Sequence, residues 1–464
     1  MATRKPEEKV APAKVKLPPG RVFQLPTELK RLFEGTENIG IGPRHIGGHI
    51  RKGEWYVELG GPRHEYISYN MIEVVEDPNE VHDGRMELIG PELNELPPET
   101  SVPFAFDMKV WGKALTDAHT EYLDRMSSAG IANVEGVMLQ GGRGTIWIRI
   151  SKKVAPKHSF AKIAQLMRAF LMTTCPMVEA TESRIVIATE EMGGLDLIKP
   201  LWEEARRKWE VLDAKYASLE DADVEVFYGC TVCQTFAPNH VCVITPTRIP
   251  YCGILSYHGC KVITEIDPYG YVFEMPRGEV LDPVMGRYQG VDEAVFVRSN
   301  QKVRKVYLNS TIRYTTTNCG CFEGISFYIP DVDGIGLVQR RYFGDTPLGI
   351  SFSKMAGLVS GGAQNHGFKG ISVRGMRDRD FLVGDGGWER IVWVPKDLKM
   401  EIADAVPEEV YEKIATEEDA IAPDELKEFL SQKKHPVTEK YWKDGEPEPL
   451  TLPMPGHDWL GEED

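Results

Sequence analysis

Apolar and polar residues alternate along the chain from about Pro26, and the period of the alternation changes several times. Trp55-Tyr56-Val57-Glu58-Leu59 and Glu65-Tyr66-Ile67-Ser68-Tyr69 read as strands, with Gly60-Gly61-Pro62 turning the chain between them. Residues 89–103 are punctuated by proline and read as loop. Val110, Trp111, Leu115, Tyr122 and Met126 then recur at helical spacing, which predicts a helix from about Phe106 to Ser128, stopped by Gly130. Val134–Met138 and Thr145–Ile150 predict two further strands. Ser159 suits the N-cap of a helix with Ile163, Leu166, Met167, Phe170 and Leu171 on one face, ending at Cys175-Pro176. A buried strand at Ile185–Ala188 precedes a helix from about Asp196 to Leu219 carrying Leu201, Trp202, Trp209 and Leu212.

Val224–Tyr228 reads as a strand, and residues 261–317 as strand-rich, with turns at Asp267-Pro268 and Asn309-Ser310. Ile325–Ile329 and Ile391–Pro395 are further strands, and Pro423 opens a helix to about Gln432. Between them Gly349–Ser353 leads into a glycine-rich passage, Gly357 to Gly375, whose His366 and Arg374 read as solvated or paired, not as ligands. The pattern predicts an α/β to α+β fold of two mixed α–β domains, 27–200 and 201–442. A flexible tail at 1–26 and an acidic one at 443–464 flank them.

Composition narrows the function. The 464 residues are 42% hydrophobic and 27% charged, ordinary for a globular protein. A net charge of −16 argues against nucleic acid or an anionic membrane as partner. No apolar run reaches membrane-spanning length, and residues 1–16 lack the apolar stretch of a secretory signal, so a cytoplasmic place is expected. There, cysteines serve as metal ligands or buried thiols in preference to disulfides. The glycine-rich passage has no following Gly-Lys-Ser/Thr, which leaves a nucleotide-binding loop unsupported.

Six of the eight cysteines fall in two places. Cys230, Cys233, Cys242 and Cys252 form one close pair followed by two single cysteines. Four thiolates suit zinc or an iron–sulfur cluster; their dispersal favours a [4Fe-4S] cube, in which each iron takes one sulfur. Pro238, Pro246 and Pro250 keep the backbone around them out of regular helix, leaving amides free to face cluster sulfurs. The second group is Cys319-Gly320-Cys321. Its two thiolates and the amide nitrogens of Gly320 and Cys321 can chelate one ion in a nearly planar N2S2 set, which suits Ni(II) or Cu(II). Two unpaired cysteines in a tight turn, or a vicinal-type disulfide, remain the alternatives. Cys260 lies outside both groups and reads as structural. Elsewhere, Arg143 and Arg149 flank Trp147 beside the turn Gln140–Gly144. They could hold a phosphate-bearing ligand with a flat base on the indole, or simply pair with acids on a β-turn.

The segments 229–253 and 318–321 resemble the metal-cluster motif of the carbon monoxide dehydrogenase/acetyl-CoA synthase family, in its short, archaeal-type beta subunits. The resemblance implies that Cys230, Cys233, Cys242 and Cys252 hold one [4Fe-4S] cluster. It further implies that Cys233 bridges to a proximal nickel, and that Cys319 and Cys321 join this nickel to a distal one chelated with Gly320. Phe236, which reads as core from its residue type, would crowd the proximal nickel. Arg143, Trp147 and Arg149 would contact coenzyme A. The glycine-rich passage would cover the metal site. The cluster would lie in the C-terminal domain, without the N-terminal domain of the longer bacterial members. The implied function is a CO-methylating acyltransferase that assembles or cleaves acetyl-CoA from a methyl group, carbon monoxide and coenzyme A. Its implied partners are carbon monoxide dehydrogenase and a corrinoid iron–sulfur protein. From the residues alone, a nickel-free [4Fe-4S] electron-transfer protein and a zinc-stabilised binding module stay open.

Overall fold

Phe104–Trp111 is a strand near the far edge of a five-stranded mixed sheet. The order is Arg21–Gln24, Arg85–Ile89, Ala180–Ile187, Phe104–Trp111, Tyr69–Val74. The computed structural model describes residues 16–27, 50–51, 53–132, 136–140, 143–216, 218–250, 255–320 and 322–452. In this sheet Phe104, Phe106, Met108 and Val110 enter one core and Ala105 another, the two-residue alternation of a strand. The helix expected from Phe106 to Ser128 is thereby corrected: it starts only at Asp117, and Gly130 does not stop it, since it runs on to Ala132. Val110 and Trp111 fit a helical stripe as well as a pleat, and pairing with strands on both sides decides for the pleat.

The expected strand at Glu65–Tyr69 is also corrected. Glu65 and Tyr66 take φ of 52° and 56°, the Tyr66 amide donates to Gly61 O at 3.0 Å, and the strand starts only at Tyr69. The segment expected as loop at 89–103 contains the strand Thr100–Val102. Nor is all of 1–26 a tail, since Arg21–Gln24 pairs antiparallel with Arg85–Leu88. Residues 1–15 lie outside the described residues.

A second sheet, Thr100–Val102, Trp55–Gly60, Trp147–Ser151, Val137–Gln140, shares a core with the first. Val57, Leu59, Ile148 and Ile150 meet Phe106, Met108 and Ile185 there, with Leu166 and Phe170 of the helix Phe160–Thr174. Burying a side chain such as Phe170 contributes about 1.5–3 kcal/mol. Ser159 caps this helix as expected, its Oγ accepting from the Lys162 amide at 3.0 Å. The helix Gly194–Tyr216 lays Ile198, Leu201, Ala205 and Trp209 against Tyr69, Met71, Ala105 and Val186 of the five-stranded sheet.

The later part of the chain carries a three-stranded antiparallel sheet, Cys242–Ile244, Val226–Cys230, Val272–Pro276. A four-stranded sheet follows, Phe368–Ile371, Gly324–Ile329, Gly334–Gln339, Ile391–Trp393. The expectation that 261–317 is strand-rich is corrected. Helices Tyr257–Ile266 and Gln289–Arg298 take much of it, and 299–317 has no regular structure. The helix Tyr257–Ile266 links two cores: Val262 packs with the first sheets, and Cys260 with the core that contains the cysteines. The helix Pro423–Gln432 has the bounds expected. The acidic end is only partly loose. Trp442–Lys443 pairs with Glu446–Pro447, Trp442 is buried with its indole N–H donating to Val332 O at 2.7 Å, and the Leu450 amide donates to the Tyr328 hydroxyl at 2.9 Å. Residues 453–464 lie outside the described residues. Among the described residues no helix is long and apolar enough to cross a membrane.

Candidate metal centre

The strand Val226–Cys230 is the middle strand of its sheet and delivers Cys230 at its end. Cys230 and Cys242 are direct partners across the antiparallel pair, so their side chains share a face. Between them the chain makes a 3-10 turn at Val232–Thr235 that carries Cys233, whose carbonyl accepts from the amides of Phe236 at 3.2 Å and Ala237 at 2.9 Å. Cys319 comes from far along the sequence and joins the same apolar cluster as Cys230, Cys233 and Cys242, with Ile244, Val272, Phe322 and Trp393. All four cysteines are buried and no disulfide joins them. Cys252 and Cys321 lie outside the described residues. Among the described residues, no group of three or more His, Cys, Asp or Glu side chains is close enough to hold a metal ion.

Hydrogen bonds hold the second cysteine group in place. The Asn318 amide donates to Ala363 O at 3.1 Å, and the Gly362 amide donates back to Asn318 O at 2.7 Å. Gly361 donates to Cys319 O at 3.3 Å, and Gly370 to the Asn318 side chain at 2.6 Å. The glycine-rich passage thus lies directly on the Cys319-Gly320 turn, although the helix Phe352–Val359 ends within it and the strand Phe368–Ile371 lies inside it. Gly320 takes φ +128°, which L side chains rarely adopt, and a Cβ there would stand 3.2 Å from Ser360 Cβ. At Gly362 (φ +86°) a Cβ would come within 3.0 Å of the His240 nitrogen and the Ala237 carbonyl.

By residue type, buried thiols are the donors that a soft, multiply charged cluster takes. Burial pushes the Cys230 thiol up to about 11, so without a metal it is neutral, and neutral thiols bury at little cost. As thiolates in this apolar cluster, the same residues require cationic metal beside them. Phe236 follows Cys233 closely in sequence and is 42% exposed, unusual for a large aromatic beside a buried cysteine loop.

Two features escaped the sequence reading. His240 is fully buried, with Nε2 3.0 Å from Cys242 Sγ and Nδ1 2.9 Å from Thr317 Oγ1. A cleft of about 630 Å³, open solvent included, is lined by Cys242, Arg248, Pro250, Lys369, Asp378 and Phe381. Arg248 pairs with Asp221 and Asn309, and burial brings the Lys369 ammonium down to about 7. Both His240 and Arg248 stand inside the cysteine segment, and their setting between cysteines is the signal that could have found them.

The residues expected to meet coenzyme A lie in the other sheet system. The Arg143 guanidinium is engaged by Glu121 at 3.0 Å, Asp124 at 3.1 Å and Asp213 at 3.1 Å. Arg149 donates to Glu58 at 2.7 Å and to Ile50 O at 2.9 Å, and its guanidinium sits 4.5 Å from the centre of the Trp147 ring. His366 and Arg374 are paired: the His366 Nδ1 accepts from the Tyr314 amide at 2.9 Å, and Arg374 reaches Asp213.

Residues 209–441 match the family described as the C-terminal part of the ACS/CODH beta subunit, and residues 38–192 match the CO dehydrogenase/acetyl-CoA synthase complex beta subunit. An acetyl-CoA decarbonylase/synthase complex subunit beta of Methanopyrus kandleri is 42% identical over 413 residues, 88% of this chain and 86% of that one. Subunit beta 2 of the same complex in Methanocaldococcus jannaschii is also 42% identical, over 89% of this chain and 86% of its own length. The subunit beta of Methanothermobacter thermautotrophicus is 39% identical over 87% and 85%. The solved C-terminal domain of an acetyl-coenzyme A synthase alpha subunit is 36% identical over 26% of this chain and 95% of its own, with a TM-score of 0.24 that is too low to speak for the fold. With both regions matched and such relatives covering most of its length, the chain belongs to the beta-subunit family of the CO dehydrogenase/acetyl-CoA synthase complex.

Proposed function

We propose that the chain forms or cleaves acetyl-CoA from a methyl group, carbon monoxide and coenzyme A, as the acyl-transferring subunit of a larger complex. Cys230, Cys233, Cys242 and Cys252 would hold one [4Fe-4S] cluster, and Cys319, Gly320 and Cys321 two nickel ions, with Cys233 reaching the nearer nickel. When bound, this centre would supply a soft, electron-rich metal suited to binding a methyl group and carbon monoxide. The observation that carries the reading is the burial of Cys319 in one apolar cluster with Cys230, Cys233 and Cys242, despite its distance in sequence.

The chain itself fixes ligands and excludes water. The Ser360–Ala363 stretch clamps the Cys319 turn, and Phe236 would shield the nickel side of the cysteine loop. Trp147 and Arg149 would contact coenzyme A, and Arg143 would hold their turn in place through its three carboxylates. Relatives are named as subunits of a decarbonylase/synthase complex. Carbon monoxide dehydrogenase and a corrinoid iron–sulfur protein are the proposed partners that deliver carbon monoxide and methyl.

The test is anaerobic reconstitution with iron and nickel, followed by metal analysis and assay of acetyl-CoA formation from a methylated corrinoid protein, carbon monoxide and coenzyme A. Iron with nickel and turnover is expected, with Cys319→Ser keeping iron but losing nickel and turnover, and Cys242→Ala losing iron. Iron alone in an inactive wild type would favour an electron-transfer protein, and zinc alone a binding module.

A further inference from the structure

We infer that His240 is a positioning residue for the cluster: its Nε2–H donates to the Cys242 sulfur and, through Thr317, ties the cube-binding loop to the Cys319-Gly320-Cys321 segment. The inference rests on the cluster reading above and adds a role for a residue that is not itself a ligand there.

The geometry is a chain of three side chains. Cys242 Sγ lies 3.0 Å from His240 Nε2, and His240 Nδ1 lies 2.9 Å from Thr317 Oγ1. Thr317 Oγ1 in turn accepts from the Val241 amide at 3.1 Å. Thr317 stands two residues before Cys319. The chain therefore starts on a proposed cube ligand and ends in the segment that carries the second cysteine group. His240 is fully buried and Thr317 nearly so, so water does not offer either side chain an easy substitute partner. The backbone of His240 is held as well: its amide donates to Ala237 O at 2.9 Å, and its carbonyl accepts from the Gln234 side chain at 3.1 Å.

Chemistry assigns the protons. A metal-bound thiolate has no proton to give, so the hydrogen between Cys242 and His240 belongs to Nε2. A neutral imidazole then has a bare Nδ1, which accepts the Thr317 hydroxyl proton. The Thr317 oxygen keeps a lone pair for the Val241 amide, and its longer, 3.3 Å approach to Val241 O goes without that proton. One neutral tautomer thus satisfies the chain in a single direction.

A hydrogen bond to a cluster sulfur stabilises the reduced, more negative state and so raises the reduction potential. Removing the donor should shift the reduction equilibrium toward the oxidised cluster by about tenfold, about 59 mV for one electron.

The test uses the full chain, reconstituted anaerobically with iron, and compares wild type with His240→Leu and His240→Gln. Iron per chain is measured together with the cluster midpoint potential, followed by electron paramagnetic resonance during redox titration. Full iron with a lowered potential in His240→Leu, largely restored in His240→Gln through its amide donor, is the expected result. If His240→Leu fails to fold, Thr317→Val and Thr317→Ser serve in its place. Valine removes the hydroxyl that fixes the ring and should lower the potential, whereas serine keeps it and should match wild type. Wild-type potential in an iron-replete His240→Leu or Thr317→Val overturns the inference and leaves the cluster reading intact. So does a His240→Gln that shifts as far as the leucine variant. A wild type that takes up no iron overturns both.

Discussion

Arg374, in the glycine-rich passage that lies on the cysteine turn, places its guanidinium 3.3 Å from Asp213 on the helix Gly194–Tyr216. The same carboxylate receives Arg125 at 3.2 Å and Arg143 at 3.1 Å. One acid thus draws together arginines from the first sheet system and from the region that carries the candidate metal centre. The Arg374 contact is partly exposed and by itself is worth about 1 kcal/mol or less. Loss of the shared acid is different, because Arg125 and Arg143 are much less exposed. Asp213→Ala should lower unfolding stability by roughly 2 kcal/mol. A double-mutant cycle of Asp213→Asn with Arg374→Gln should show a coupling of about 0.5–1 kcal/mol between the two regions. Strict additivity in chemical denaturation would mean that this contact does not couple them.

Arg143 and Arg149 should separate in experiment. Trp147→Ala and Arg149→Ala should raise the KM for coenzyme A about tenfold, equivalent to about 1.4 kcal/mol, with iron content unchanged. Arg143→Gln leaves Glu121 and Asp124, both buried, without their shared cation. It should cost on the order of 3 kcal/mol of stability while the folded fraction keeps its KM for coenzyme A. Steady-state kinetics beside thermal melts of the three variants distinguishes the two roles.

At Gly320 both backbone angle and space are restricted. Gly320→Ala should lose about 1–2 kcal/mol of stability and most of its nickel while keeping its iron. Adding Ser360→Gly removes the crowding but not the strained angle. Nickel restored in the double variant would show that the Ser360 contact is the constraint, and nickel unchanged in Gly320→Ala would show that neither matters.

His435 gives a pH dependence distant in sequence from the cysteines. Its Nε2–H donates to Ile391 O and its Nδ1 accepts from the Val437 amide, both at 3.1 Å, and burial pushes its imidazolium down to about 4. In the unfolded chain the ring titrates near 6.5. Between these values the unfolded state binds the extra proton, so stability is full above about 6.5 and falls as pH drops toward 4. The loss is on the order of 3 kcal/mol at most. Melting temperatures of the metal-free chain from pH 7 to pH 4.5 should fall less steeply in His435→Gln than in wild type. Parallel profiles would remove His435 as the cause.

What could be read from the one-dimensional chain were features whose cause is local. Ser159 caps its helix because the bond closes within three residues, and Pro423 opens its helix because proline suits a first turn. The cysteine spacing carries its own chemistry, since thiolates at such intervals favour soft metals whatever fold surrounds them. Tertiary structure decided what depends on partners far apart in sequence. Phe104–Trp111 became a strand because Tyr69–Val74 and Ala180–Ile187 supply its hydrogen bonds. Arg143 was taken up by Glu121, Asp124 and Asp213 because a buried cation requires nearby carboxylates, and those come from two different helices. His240 gained its place between Cys242 and Thr317 only when the two cysteine groups were folded together, for periodicity and spacing report the neighbours along the chain and not those across it.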